Sequence, residues 1–136
     1  MQVRTSETHP IRASEDIVAV RQAVRQRAVE LGFNLVDQTK IVTASSELAR
    51  NALTYGGGGR LLLETVQNGS RAGLRLIFED EGPGIADVHQ ALKDGFTSGS
   101  GLGLGLGGAK RLSHEFEIQS DVGRGTRVTI VRWKGL

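Results

Sequence analysis

Two polar side chains stand one helical turn apart in the segment Glu47-Leu-Ala-Arg-Asn51. On a helix, Glu47 and Asn51 are related as i and i+4, so both lie on one face. A carboxylate can polarise a hydroxyl or a water, and a neutral amide oxygen can ligate magnesium without adding negative charge beside a triphosphate. The alternative is a solvated polar stripe in which Glu47 pairs with Arg50.

A second candidate segment is Asp80-Glu-Gly82-Pro-Gly84-Ile85. Asp80 ends a predicted strand, where a fixed carboxylate can accept hydrogen bonds from an exocyclic amine such as that of adenine. Gly82 and Gly84 would let a flat ring lie against bare backbone. The alternative is an ordinary turn after a strand.

The third segment, residues 99–112, interleaves glycine with leucine. Its glycines free successive N–H groups to surround anionic oxygens, and the helix that follows presents its N-terminus to them. Lys110 and Arg111 add positive charge nearby. A flexible linker would favour serine over these leucines, so the segment predicts contact with phosphate.

Two common nucleotide-binding motifs do not fit this glycine-rich segment. Gly103, Gly105 and Gly108 spell GxGxxG, but the residues before them do not form the strand that a dinucleotide-binding unit requires. A P-loop is excluded because the chain has no Gly-Lys-Ser/Thr tripeptide.

The composition bounds the class of protein. The chain has 136 residues, of which 38% are hydrophobic, which predicts one compact domain spanning residues 1–136. A formal charge of +2 argues against nucleic acid as the main partner, and the absence of cysteine excludes disulfides and thiol nucleophiles. No apolar run approaches the ~20 residues that span a bilayer. We therefore expect a cytoplasmic protein with no membrane partner.

Hydrophobic periodicity predicts the elements that position these segments. Ser14 is predicted to cap the first helix with its hydroxyl, and Asn68-Gly69 to form the turn of a hairpin. The predicted elements are an edge strand within residues 2–13, a helix from Ser14 to Gly32, a helix from Asp37 to Leu53, strands Arg60–Val66 and Leu74–Asp80, short helices Val88–Lys93 and Leu106–Leu112, and strands Glu115–Ser120 and Thr126–Trp133. This order predicts a two-layer α+β sandwich.

Taken in order, the three segments resemble the N box, G1 box and G2 box of the GHKL ATP-binding superfamily, which has the Bergerat fold. Gly123-Arg-Gly125-Thr126 is similar to the element that closes the adenine pocket in that superfamily. The resemblance covers roughly residues 14–133. It implies a mixed, mostly antiparallel sheet covered on one face by helices, with a glycine-rich ATP lid.

Within that superfamily, Ser46-Glu-Leu-Ala-Arg-Asn51 and Glu79-Asp-Glu-Gly-Pro-Gly-Ile-Ala-Asp87 look most like the RsbT-type stressosome switch kinases of the anti-sigma regulatory factor family. The resemblance implies a kinase that phosphorylates serine or threonine on STAS-domain proteins and can then bind and activate a PP2C-type phosphatase. The alternative is a nucleotide-gated binding module without significant kinase activity, and a free-standing ATPase fits less well.

The resemblance also implies a role for each matching residue. Glu47 would be the catalytic base, Asn51 the ligand of Mg²⁺, and Asp80 the residue that recognises adenine. The other residues implied in ATP binding are Gly82, Gly84, Ile85 and Thr126 in the pocket, Gly101, Leu102, Gly103, Leu104 and Gly105 in the lid, and Lys110 beside the phosphates.

Two further features have simpler interpretations. Ser113-His114-Glu115-Phe116 superficially resembles a phospho-acceptor box, but it follows the lid and leads into a strand, so we expect His114 to be a surface residue at a helix end. Arg21, Arg25 and Arg27 predict a solvated face on the first helix, with a docking surface for an acidic partner as the alternative.

Overall fold

The computed structural model describes residues 1–92 and 106–135. Each predicted element is present, with ends that differ by a few residues. In chain order they are β1 (Gln2–Ile11), α1 (Ser14–Leu31), α2 (Leu35–Thr54), β2 (Gly59–Asn68), β3 (Arg71–Asp80), α3 (Val88–Ala91), α4 (Leu106–Arg111), β4 (Glu115–Asp121) and β5 (Gly125–Trp133).

The five strands form one sheet in the order β1-β2-β3-β5-β4. All four pairings between neighbouring strands are antiparallel. The expected sheet was mixed and mostly antiparallel, and no parallel pair occurs in the described part of the chain. Short connections explain two of the four pairings, because β2–β3 and β4–β5 are hairpins and antiparallel neighbours need only a few linking residues.

The first two helices pack against each other and against one face of the sheet, which we call the inner face. Their apolar residues recur at helical spacing, which turns one stripe of each helix toward the sheet. On α1 the fully buried residues are Val20, Val24 and Ala28. The prediction of an α+β sandwich with helices on one face is confirmed.

The helix ends explain where the predicted boundaries shift. Ser14 does not cap α1, because it is the first residue of the helix and Ala13 occupies the N-cap position. The Asp16 carboxylate instead accepts the backbone N–H of Arg12 at 2.8 Å and that of Ala13 at 3.1 Å. Asn34 caps α2 by accepting the Asp37 N–H at 2.8 Å, which starts the helix two residues before the predicted Asp37.

Period-two alternation along β3 and β5 determines which side chains reach the helices. The inner-face pairs of these two strands run Asp80–Thr126, Phe78–Val128, Leu76–Ile130 and Leu74–Arg132. The two middle pairs are apolar and buried. Polar side chains therefore stand at both ends of an apolar stripe.

The opposite face, which we call the outer face, is covered by its own side chains. Glu64 on β2 and Arg75 on β3 form an ion pair at 2.6 Å, and Glu79 lies between Arg60 at 3.2 Å and Arg127 at 3.8 Å. These long side chains shield apolar residues on the same face, so Ile77 is only 5% exposed.

Strand β1 forms one edge of the sheet, as predicted. A bulge interrupts its pairing with β2 between Val3 and Thr5. Glu7 on this strand accepts hydrogen bonds from Arg27 of α1, the shorter at 2.8 Å, which ties the edge strand to the helix layer. Within the described ranges, no helix is long and apolar enough to cross a membrane.

Candidate functional site

A pocket opens on the inner face where α2 ends and where β3 meets β5. Apolar side chains form its walls, and a few polar groups lie at its floor, the usual composition of a small-molecule site. The residues that line it are Leu48, Asn51, Ala52, Tyr55, Gly56, Phe78, Asp80, Pro83, Gly84, Ile85, Leu106, Thr126 and Val128.

Asp80 is the acidic group of this pocket and is half-buried. Its Oδ1 accepts the backbone N–H of Gly82 at 2.9 Å, and the carboxylate also accepts the N–H of Thr126. Burial raises the pKa of Asp80 above its usual value, and the two backbone hydrogen bonds oppose this rise. No lysine or arginine of the described residues pairs with it. The carboxylate is thus fixed in orientation, and no cation of residues 1–92 or 106–135 pairs with its charge.

Glycines are required around Asp80 because backbone approaches backbone there. A Cβ on Gly82 would lie 2.6 Å from the Cα of Gly56, and a Cβ on Gly56 would overlap the Asp80 side chain. Gly84 has a φ of +75°, and a Cβ there would overlap the carbonyl of Asp121. Glycine at these positions lets the backbone segments around Asp80 pack directly against one another, which shapes this side of the pocket.

Ser120 organises the far wall of the pocket and was not predicted as a site residue. Its hydroxyl donates to the Gly125 carbonyl at 3.0 Å and accepts the Ile85 N–H at 2.8 Å. It also lies 2.8 Å from the Thr126 hydroxyl. The sequence could have placed Ser120 on the inner face, because it continues the inward register of Phe116 on β4.

The two polar residues of α2 differ in their relation to the pocket. Asn51 lines it, one turn before the helix ends. Glu47 is not part of the wall, and its carboxylate is 3.3 Å from Arg50, with 35% of its side chain exposed. The ion pair that the sequence offered as the alternative for Glu47 is therefore present.

The remaining predicted site residues lie away from the wall or outside the described ranges. Gly82 donates its backbone N–H to Asp80 but does not itself line the pocket. Lys110 on α4 is exposed and is also absent from the lining. The predicted lid residues Gly101, Leu102, Gly103, Leu104 and Gly105 lie outside the described residues.

A protein-only metal site is absent from the described part of the chain, where no three His, Cys, Asp or Glu side chains form a group that could hold an ion. The pocket instead offers the Asn51 side chain. This donor set fits a magnesium ion held by one amide oxygen together with the phosphates of a nucleotide.

The basic residues of α1 are mostly engaged within the protein. Arg27 pairs with Glu7 and with Glu30, the latter at 2.6 Å, and Arg25 donates to Gln38 at 3.3 Å. His114 is exposed at the end of α4, as predicted, and its Nδ1 accepts the backbone N–H of Trp133 at 2.8 Å.

Comparison with known proteins agrees with this geometry. Residues 36–134 match the family described as histidine kinase-, DNA gyrase B- and HSP90-like ATPase. The chain is 49% identical to the serine/threonine-protein kinase RsbT of Bacillus subtilis over 118 residues, covering 87% of this chain and 89% of the relative. It is 27% identical to the anti-sigma F factor of Thermoanaerobacter sp., covering 85% of this chain and 83% of that factor.

Solved structures share the fold. The RsbU and RsbW domains of a Mycobacterium tuberculosis protein align with a TM-score of 0.63 and 21% identity, covering 95% of this chain and 32% of that one. The mycobacterial sensor histidine kinase MprB aligns with a TM-score of 0.57 and 20% identity, covering 96% of this chain and 98% of that one.

The predicted resemblance to the GHKL superfamily, and within it to a serine/threonine kinase of the RsbT type, is confirmed by these matches. The ATP-binding pocket predicted from the sequence is consistent with that membership. The chain belongs to the histidine kinase-, DNA gyrase B- and HSP90-like ATPase family, as a homologue of the serine/threonine-protein kinase RsbT.

Proposed function

We propose that this protein is a Mg²⁺- and ATP-dependent kinase that phosphorylates serine or threonine on a STAS-domain partner and so takes part in partner switching. The observation that carries the proposal is the glycine-walled pocket with a fixed, unmatched Asp80 carboxylate at its floor. The 49% identity to a serine/threonine-protein kinase supports the choice of reaction.

Asp80 would bind the adenine end of the nucleotide. The Gly82 N–H donates to Oδ1 and the Thr126 N–H to the same carboxylate, so the carboxylate cannot rotate freely and keeps acceptor capacity for an exocyclic amine. Thr126 lies beside it, and Ser120 fixes its hydroxyl. The apolar walls around them exclude water from the ring, which strengthens the hydrogen bond to the base.

Asn51 would hold the metal and thus the phosphates. A magnesium ion bound there would neutralise charge on the phosphate oxygens as the bridging bond breaks. The Asn51 amide contributes an oxygen ligand without adding negative charge. Asn51 lies one turn before the end of α2 and lines the same pocket as Asp80, which supports this role.

Glu47 would act on the acceptor hydroxyl. The hydroxyl oxygen bonds to the γ-phosphorus, the bond from that phosphorus to the bridging oxygen breaks, ADP leaves, and the proton passes to the Glu47 carboxylate. Glu47 must first release Arg50, which lies 3.3 Å from it. Docking of the partner's acceptor loop can displace so exposed an ion pair at little cost, because such pairs contribute at most ~1 kcal/mol.

The experiment is intact-mass analysis of a STAS-domain partner after incubation with this protein, Mg²⁺ and ATP. We expect a gain of one phosphate with the wild type, none with Asn51→Ala, and a strongly reduced rate with Glu47→Gln. Arg50→Ala is the matched control, because it removes the same ion pair but keeps the carboxylate, and it should retain transfer. Full transfer by Glu47→Gln would refute the role of Glu47 as the base.

A nucleotide-gated binding module is the second candidate, favoured by the position of Glu47 outside the pocket wall and by its pairing with Arg50. That protein would bind ATP, transfer nothing, and hold its partner in only one nucleotide state. Pull-down of the same STAS domain with ATP and with ADP separates the candidates. A binding module should retain the STAS domain in only one nucleotide state, and its Glu47→Gln variant should behave in the same way.

We also propose a cellular compartment and a second partner for the protein. The residues 1–136 act as one GHKL domain in the cytoplasm, where ATP is available. A PP2C-type phosphatase is a second partner, bound after the kinase has left the phosphorylated STAS protein. Co-purification with such a phosphatase, tested before and after phosphorylation of the STAS partner, addresses that exchange.

A further inference from the structure

A buried arginine stands where the inner face of the sheet should be apolar. Arg132 on β5 is only 5% exposed and lies opposite Leu74 of β3. The two residues before it in the same inward register, Val128 and Ile130, are apolar and buried. The function proposed above assigns nothing to this guanidinium, although burying it costs free energy.

Arg132 uses its two terminal nitrogens to bridge two helices. Nη2 donates to the carboxylate of Asp37 at 2.7 Å, and Asp37 lies in the first turn of α2. Nη1 donates to the carbonyl of Leu112 at 2.9 Å, and Leu112 directly follows α4. The side chain of Asp37 is 14% exposed, so this ion pair lies largely out of water.

Both helices reach the nucleotide pocket at their other ends. Asn51 lies 14 residues along α2 from Asp37, or about 21 Å at 1.5 Å per residue. Leu106 begins α4 and lines the pocket, and the helix ends at Arg111, before the carbonyl that Arg132 holds. Arg132 therefore contacts Asp37 on α2 and the segment directly after α4, at the ends away from the pocket that these helices line.

Stability alone does not account for this arrangement. Replacing a buried ion pair by apolar residues of similar size is often neutral or stabilising. Here the cost of burial is greater, because the Nε of Arg132 has no hydrogen-bond partner among the described residues. A guanidinium does provide two donors in a fixed plane, which set two acceptors at a defined separation.

We propose that Arg132 is a positioning residue for nucleotide binding, which sets the separation of α2 and α4 through Asp37 and the Leu112 carbonyl. This inference rests on the proposed function, because it assumes that the pocket takes a nucleotide. It predicts that an apolar core at this point folds but binds nucleotide less well, because the two pocket walls are no longer held at one distance.

The test is the double variant Asp37→Ala/Arg132→Met, which removes both charges and leaves neither partner unpaired. We measure its melting temperature and its dissociation constants for ADP and for Mg²⁺–ATP by calorimetry. We expect a cooperative melt within a few degrees of the wild type, and a dissociation constant raised by about tenfold, the size that loss of preorganisation can produce.

The matched control is Glu64→Ala/Arg75→Met, which removes an ion pair of similar geometry from the outer face. It should leave nucleotide binding unchanged. Wild-type affinity in a folded Asp37→Ala/Arg132→Met protein would overturn the inference and leave Arg132 with a structural role only. If that variant does not fold, Arg132→Lys decides instead. A lysine has a single ammonium nitrogen, which cannot occupy both positions that Nη1 and Nη2 of Arg132 take. Unchanged nucleotide affinity in the folded lysine variant would overturn the inference, and absence of nucleotide binding by the wild type would overturn the proposed function itself.

Discussion

The inner face of the sheet carries a charged group at each end of the β3–β5 pair, and the two groups have different kinds of hydrogen-bond partner. Asp80, at the pocket end, receives hydrogen bonds from backbone N–H groups of Gly82 and Thr126. Arg132, at the other end, pairs with Asp37 and holds a carbonyl. A carboxylate whose charge is unmatched can still bind a ligand, whereas the arginine has committed its terminal donors to the protein.

The two ends therefore differ in what a substitution should remove. At the Arg132 end a substitution should lower the stability of the fold, because it leaves Asp37 without its partner. At the Asp80 end a substitution should weaken ligand binding more than it lowers stability, because the backbone N–H groups need only an acceptor and not a charge. Measurements of stability, nucleotide affinity and pH dependence in variants of the two ends test this difference.

The first prediction concerns stability. Arg132→Met should lower the free energy of unfolding by about 3 kcal/mol, because it leaves Asp37 partly buried without its cation. Asp80→Asn should change it by about 1 kcal/mol at most, since the amide oxygen can still accept the Gly82 N–H and no charge is left without its partner. Urea denaturation monitored by the fluorescence of Trp133 measures both. Similar losses in the two variants would contradict the comparison.

The second prediction concerns nucleotide affinity. Asp80→Asn should weaken ADP binding by about tenfold to a hundredfold, because a hydrogen bond to a charged group contributes about 1.5–3 kcal/mol. The control is Glu79→Gln, one residue earlier, whose side chain lies on the outer face between Arg60 and Arg127. It should bind ADP as the wild type does. Equal losses would mean that general charge, and not the pocket carboxylate, attracts the nucleotide.

The third prediction concerns pH and is the smallest in magnitude. Burial raises the pKa of Asp80 above its usual value of 3.8, so the native state binds this proton more tightly than the unfolded chain does. Ionisation of Asp80 therefore lowers stability as the pH rises through its native pKa. Relative to the wild type, Asp80→Asn should be more stable at pH 7 than at pH values below that range.

Glu7 should show the opposite sign. Its hydrogen bond with Arg27 is the main cause that lowers its pKa below the usual 4.5. Its contribution is complete above that usual value and is lost as the pH falls through the lowered native pKa. Glu7→Gln should cost at most ~1 kcal/mol at pH 7, as for other partly exposed pairs, and nothing at strongly acidic pH. Denaturation series from pH 3 to pH 7 would contradict this if both variants changed in the same direction.

Much of this architecture could be predicted from local patterns. Alternation in β3 places Leu74, Leu76 and Phe78 on one face, and Asp80 follows in the same register at the pocket. Helical periodicity identified α1 and α2, and Asn68-Gly69 identified the hairpin turn, where Gly69 has a φ of +63°. These features depend on neighbours in sequence, which is why spacing alone reveals them.

Contacts between distant segments could not be predicted in the same way. The bond from Arg132 to Asp37 joins residues 95 positions apart, and the hydrogen bond from Ile85 to Ser120 joins residues 35 apart. The inward register of Thr126, Val128 and Ile130 does continue to Arg132, so its place on the inner face was available from the sequence. Its partners were not, because they depend on how the helices pack.

The edge strand has a consequence for how the chain folds during synthesis. β1 is synthesised before its partner β2, and because Gln2 pairs with Gln67 and Ile11 with Gly59, the strand must wait while both long helices are made. Loop closure of this length slows pairing. In the interval, the missing N–H of Pro10 makes the strand a poorer template for other nascent chains. A late-docking first strand can thus stay unpaired without starting aggregation.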